Sequence, residues 1–327
     1  MFSYRTLFKQ AWLITWRHKY LWFFGLFAAV VAGGGSWEYQ IFSQSLNNGL
    51  IEGSYLRLAN IQALGELTQS FWYGLGDLLT YDIWTILSAI SLIILTVSLI
   101  AFALWLSISS QAALVSETKK LLNPKKKNQD LSIRTGLTHG HSHFWSLAGL
   151  NILIKFLVTL AFFIMSLPLL FMSWRETDLL AAIYVILFVI FIPVAVSLSL
   201  IIKFAIAYRV LDDKSALIAL EKGELLFRKN WLISLEAAII LFIINFVASL
   251  ILLVVLSLFF LPIFTVSLLL SATWLSYTIL FLAIILVVMF GSSLTAFQIS
   301  AWTNLFLSLT EKGGQAKLER LFNKQSS

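Results

Sequence analysis

Few side chains in this chain are placed to do chemistry. Lys155 stands about ten residues into an apolar run, at a depth of roughly 15 Å by helical rise. Glu236 enters another apolar run from the same side, which makes the two candidate partners. An ionisable residue inside a membrane span is a functional-site hypothesis by default. The competing reading is a structural pair, or two side chains snorkelling to the interface, as is common near span ends. Pro193 falls mid-way in a further run and removes the hydrogen bond to the Val189 carbonyl. Broken helices line substrate sites in transporters. Packing kinks are the commoner use, because neighbouring helices satisfy the freed carbonyl.

His139, His141 and His143 form an H-x-H-x-H cluster ahead of Trp145. Imidazoles bind zinc, copper or nickel. On a helix, His139 and His143 share a face while His141 points elsewhere, and no carboxylate or cysteine close by completes a ligand set. A polar, pH-sensitive face is the reading this favours. Lys125, Lys126 and Lys127 stand together after Pro124, and Arg228 and Lys229 lead into Trp231. These five are candidates for anionic lipid headgroups at about 1 kcal/mol per charge. Asn151, Asn245 and Gln298 lie within apolar runs and read as interhelical glue.

No phosphate-binding glycine loop, G-x-S-x-G, H-E-x-x-H or cluster of carboxylates occurs. Gly33-Gly34-Gly35 is followed by no Lys-Ser/Thr. No enzyme activity and no cofactor are therefore expected. The absence of cysteine removes disulfides, thiolate metal sites and cysteine nucleophiles.

The elements that must carry these residues are set by composition. Apolar residues make up 59% of 327 and charged ones 12%, against about 25% charged in a soluble domain. With several apolar runs near 20 residues, the expectation is an all-α, polytopic membrane helical bundle. Its six spans fall at about 20–35, 84–106, 145–172, 179–207, 231–258 and 274–305.

A repeated device joins the spans. In 203–236 an apolar run ends, a short amphipathic helix follows, and Arg228-Lys229-Asn230-Trp231 opens the next run. Weaker copies lie at 4–20 and 130–145. In the first, Tyr4, Leu7, Phe8, Ala11 and Trp12 oppose Arg5, Lys9 and Gln10, as in an interfacial helix over 3–19. In the second, Asp130 is the expected N-cap, and Ile133, Leu137, Gly140 and Phe144 share a face. Val30-Val31-Ala32 has the look of a signal-peptide cleavage site, but the long Trp- and Tyr-rich stretch before it favours a retained helix.

Residues 36–83 form the one sizeable external segment, with a short helix expected over 56–67. Residues 173–178 read as a tight external turn and 257–273 as an apolar external connection; a basic tail covers 310–327. Of 23 Lys and Arg residues, Arg57 and Arg175 alone fall in external pieces, and Lys155 and Lys203 fall within spans. All the others flank the opposite ends, which places both termini in the cytoplasm. The net charge of +7 is thus spent on topology, and no nucleic-acid partner is expected.

RHKYLWFFGLFA at the first span and ALIALEKGELLFRKNWLISL at the central connector carry a resemblance. The chain resembles a group of bacterial six-span membrane proteins that includes the membrane domain attached to some glycerophosphodiester phosphodiesterases. The resemblance implies a bacterial cell membrane and this architecture. The soluble phosphodiesterase domain has no counterpart here, so it carries over no catalytic residue. The function expected is a non-enzymatic scaffold or accessory subunit engaging lipid headgroups or a membrane protein partner. The alternative is a small transporter or lipid-handling protein with a path near Lys155, Pro193 and Glu236.

Overall fold

The computed structural model describes residues 4–32, 69, 82–122, 132–172 and 178–312. Among these every regular element is helical: α1 (Tyr4–Arg17), α2 (Tyr20–Ala32), α3 (Ile83–Leu122), α4 (Ile133–Ser142), α5 (Phe144–Met172), α6 (Asp178–Leu211), α7 (Ala216–Lys229), α8 (Trp231–Val255), a π-helical turn (Leu256–Phe260), α9 (Leu261–Leu269) and α10 (Thr273–Lys312). Five of the described helical stretches are long and apolar enough to cross a membrane, and the apolar stretch Tyr20–Ala29 is shorter. A helical membrane protein is what these elements make, because a helix satisfies its backbone polar groups without water.

Three boundaries differ from the sequence reading. Residues 257–273 are largely helical: the π-helical turn and α9 carry the chain to Leu269, and the reversal occupies Leu270–Ala272. Pro262 sits in the first turn of α9, where its missing N–H costs least, and the wider turn just before it takes up the lost ladder bond. Ser271, with φ 51°, closes the reversal. The second span continues as α3 to Leu122, because Ser107–Glu117, polar enough to read as an exit, is packed inside the protein. Ser132 rather than Asp130 caps α4, its Oγ accepting from the Thr135 N–H at 3.3 Å. The expected helix at 56–67, the 173–177 turn, Lys125–Lys127 and the tail beyond 312 lie outside the described residues.

The chain divides into two compact units. One comprises residues 33–105 and 154–197 and includes parts of α3, α5 and α6. Its described surface is mostly apolar, with Asp82 and Lys155 as exposed charges, and Ser88, Ser91 and Thr96 turn their hydroxyls back onto carbonyls of the preceding turn. That removes their need for water inside a hydrocarbon layer. Pro193 lies here, in a helix that runs through it unbroken from Asp178 to Leu211.

The other unit comprises residues 1–32, 106–153 and 198–327. Its plan repeats three times. A connector helix (α1, α4 or α7) ends at a polar junction residue, His18, His143 or Asn230, and a new apolar helix starts within two residues. Seven positions before each junction stands a small buried residue: Ala11, Gly136 and Gly223.

Small residues let backbones approach closely. A Cβ on Gly223 would lie 2.8 Å from the Ala205 nitrogen of α6, and one on Gly140 would lie 2.1 Å from the Ser109 carbonyl oxygen of α3. Thus α4 seats on α3 and α7 on α6, each on the helix before it. Helix α1 seats on α10: Asn304 donates to the Leu7 carbonyl at 3.1 Å and to Gln10 Oε1 at 3.2 Å. Gly25 of α2 lies equally close to α10, its Cβ position 2.1 Å from the Ser292 carbonyl oxygen.

Candidate functional site

Polar chemistry concentrates at the connector end of this second unit. The last turns of α3 are its hub. Glu117 is fully buried. Lys120 donates to its Oε1 at 2.6 Å, and the Tyr20 hydroxyl of α2 donates to its Oε2 at 3.1 Å. Thr118, also fully buried, hydrogen-bonds Ser300 of α10 at 3.0 Å. Lys119 donates to the carbonyl of Leu211, the last residue of α6, at 3.0 Å. A cation at a helix C-terminus meets orphan carbonyls and the negative end of the dipole. Three consecutive residues of α3 therefore bind three different helices. None of them stood out in the sequence; the signal available was Glu117 and Lys120 at i, i+3, the spacing of a helical ion pair.

The histidines form a second node. His139 and His143 do share a face of α4, with stacked rings 5.4 Å apart. The carboxylate missing from their neighbourhood in sequence arrives from 70 residues away: His143 Nε2 lies 2.7 Å from Asp213 Oδ1. Asp213 sits between α6 and α7 with φ 51°, a left-handed conformation that Asp tolerates better than most residues. The His143 Nδ1 lies 3.0 Å from the His139 carbonyl and 2.9 Å from Ser142 Oγ, whose hydroxyl donates to that same carbonyl at 2.8 Å. Each ring nitrogen thus has polar partners, Asp213 on one side and His139 and Ser142 on the other. The hydrogen bond from His143 holds the Asp213 carboxyl below its usual value, helped by the charges of His143, Arg209 and His139. His143 therefore ties the α4–α5 junction to the connection between α6 and α7. Among the described residues, no group of three or more His, Cys, Asp or Glu is placed to hold a metal.

The remaining sequence candidates have their own settings. Glu236 accepts a hydrogen bond from the Tyr4 hydroxyl of α1. Lys155 belongs to the other unit, where its side chain is exposed. Arg228 is exposed and pairs with Glu224 one turn back at 2.7 Å, while Lys229 is exposed beside it. The in-span amides do bridge helices: Gln298 donates to Asn245 Oδ1 at 2.6 Å and Asn151 donates to Gln111 Oε1 at 3.0 Å. His18, at the α1–α2 junction, has its pKa lowered by burial and by the neighbouring Arg17 charge.

Two lysines take aromatic rings instead of carboxylates. Lys203 Nζ lies 4.6 Å from the Trp302 ring centre, and Lys222 Nζ of α7 lies 5.9 Å from that of Tyr208. Phe204 and Phe306 link the two rings, with centroid spacings of 6.2 Å (Trp302–Phe204), 6.5 Å (Phe204–Phe306) and 4.7 Å (Phe306–Tyr208).

Compared with family models, curated proteins and solved structures, the chain matches none.

Proposed function

We propose that this chain is a six-span protein of a bacterial cytoplasmic membrane, with both termini inside. Its three hairpins are α2–α3, α5–α6 and α8–α10. It serves as a non-enzymatic scaffold or accessory subunit that presents its connectors to lipid headgroups or to a membrane protein partner. One observation carries this reading. The connectors are clamped to the spans by buried glycines and by polar groups that satisfy one another, while their ends turn aromatic and basic side chains outward. Trp12, Trp16, Trp145 and Trp231 are exposed, as are Arg17, Lys19, Arg228 and Lys229. Aromatics and cations at one end of membrane helices are the composition of an interfacial rim.

The same layout of interfacial helix, polar junction, aromatic and span supports kinship with the bacterial membrane domains attached to some glycerophosphodiester phosphodiesterases. Native mass spectrometry of the protein gently extracted from its own membrane tests the function. A retained protein partner supports the accessory reading. A retained non-lipid small molecule with no partner contradicts it in favour of transport.

A further inference from the structure

We propose that the seam between α6 and α10, marked by Lys203, Trp302, Tyr208 and Lys222, is a binding site for the phosphate headgroup of an anionic phospholipid. This rests on the membrane reading above and names a ligand class and a place for it. Lys203 lies eight residues before the end of α6, about 12 Å along the helix, and its side chain is exposed. A lysine so placed in a membrane lies within the roughly 15 Å thickness of one leaflet's hydrocarbon. Such a residue pairs, or reaches for the headgroup layer. Lys203 does neither with protein carboxylates: among the described residues, the ion pairs are Lys120–Glu117, His143–Asp213 and Arg228–Glu224. It is laid instead over the face of Trp302, a contact that holds a cation in place without neutralising it.

Lys222 repeats the arrangement over Tyr208, five residues further along α6 toward the connectors. The row of four rings between the two cations makes a stiff apolar floor. Neither lysine is paired with a carboxylate among the described residues, which leaves both ammonium groups open to an external anion. Asp212 follows Tyr208 by four residues, just past the end of α6, and puts a carboxylate on the connector side. Toward mid-span the surface opens. Gly291 lies eleven residues before Trp302, which is three helical turns on the same face, and a Cβ there would meet nothing within 4 Å. Val288 is exposed a turn further on. A phosphate at the lysines with an acyl chain laid past Gly291 matches this sequence of cation, ring and open apolar surface. A free phosphate ion would have no use for the last of these.

The test is native mass spectrometry of the full chain exchanged into detergent containing equal phosphatidylglycerol and phosphatidylcholine. Wild type is expected to retain phosphatidylglycerol selectively. Lys203→Met or Lys222→Met should lower its occupancy about fivefold, and the double variant about thirtyfold, at the usual strength of one interfacial charge. Lys203→Arg, which keeps the charge over the ring, should bind as wild type, and it keeps the test usable should Lys203→Met fail to fold. Replacing Lys125, Lys126 and Lys127 together by Gln should leave the adduct in place, so failure of the connector reading and failure of this site are told apart. Equal retention by the double variant overturns the proposal. Displacement of the lipid by millimolar inorganic phosphate also overturns it, in favour of a free-ion site.

Discussion

Tyr20 and Glu117, 97 positions apart, share a hydrogen bond of 3.1 Å on a carboxylate that has no exposure to solvent. That bond ties the start of the first apolar helix to the end of α3, and Lys120 supplies the compensating charge at 2.6 Å. Removing one partner of a buried pair costs about 3–5 kcal/mol, because the other charge is left uncompensated. Glu117→Ala is therefore expected to destabilise by about 3 kcal/mol. Tyr20→Phe removes one hydrogen bond to a charged group and should cost about 1.5 kcal/mol. Unfolding midpoints of the purified protein check both. A Glu117→Ala variant as stable as wild type would remove the hub from the account.

Close backbone approach makes a contrast between two glycines. At Gly140 an added methyl would meet the Ser109 carbonyl oxygen at 2.1 Å, a backbone atom that cannot swing aside. Gly140→Ala should cost about 1–3 kcal/mol through overpacking. Gly149, mid-helix in α5, has nothing within 4 Å of the same position. Gly149→Ala should be neutral or gain up to about 1 kcal/mol from helix propensity. Thermal midpoints in one detergent decide the matter, and equal losses at both sites would contradict the docking of α4 on α3.

His18 and Asp213, both outside the spans, carry opposite charges in their ionised forms but give the same pH trend. The hydrogen bond from His143 holds the folded-state pKa of Asp213 below the ordinary carboxylate value. Its contribution is present above that value and lost as pH falls through the lower folded value. The carboxylate is largely exposed, so the loss should be small. His18 has a folded-state pKa below 6.5. The unfolded chain then binds the extra proton first, and stability held above pH 6.5 declines as pH falls from there. His18→Gln should flatten the slope near neutrality, and Asp213→Asn the slope at acid pH. Denaturation midpoints measured from pH 8 to pH 3 would show either effect. A His18→Gln curve parallel to wild type would contradict the first assignment.

How far the chain was legible in advance depended on the range of each interaction. Helical period and charge bias are local signals, so the membrane class, the repeated connectors and most of the packed face of α1 could be read from residues within one or two turns, whereas on α4 the expected Ile133 is exposed and Gly136 is buried instead. Asn245 and Gln298 were readable as glue, because an amide inside a span needs a partner, although the pairing itself came only with the fold. Long-range partners were invisible: nothing near His143 announces Asp213, and nothing near Tyr20 announces Glu117. Two boundaries misled for physical reasons. Ser107–Glu117 is polar because it faces other helices, and the stretch around Pro262 stays helical because a π-helical turn absorbs the proline.

The amide bridge permits a pairwise test. Interhelical hydrogen bonds within membranes average about 0.6 kcal/mol and reach about 1.7. At 2.6 Å, Gln298–Asn245 is expected in the upper half of that range. A double-mutant cycle with Gln298→Leu and Asn245→Leu measures it. Strict additivity of the two single losses would show that the bridge contributes nothing to stability.

The central claim is a protein that crosses the membrane six times with its connectors on the inner side. With no native cysteine, single cysteines at Asn48 and Lys126 report sidedness without background. Intact cells treated with a membrane-impermeant thiol reagent should label the cysteine at position 48, and should label position 126 only after permeabilisation. Labelling of both positions in intact cells would contradict the account.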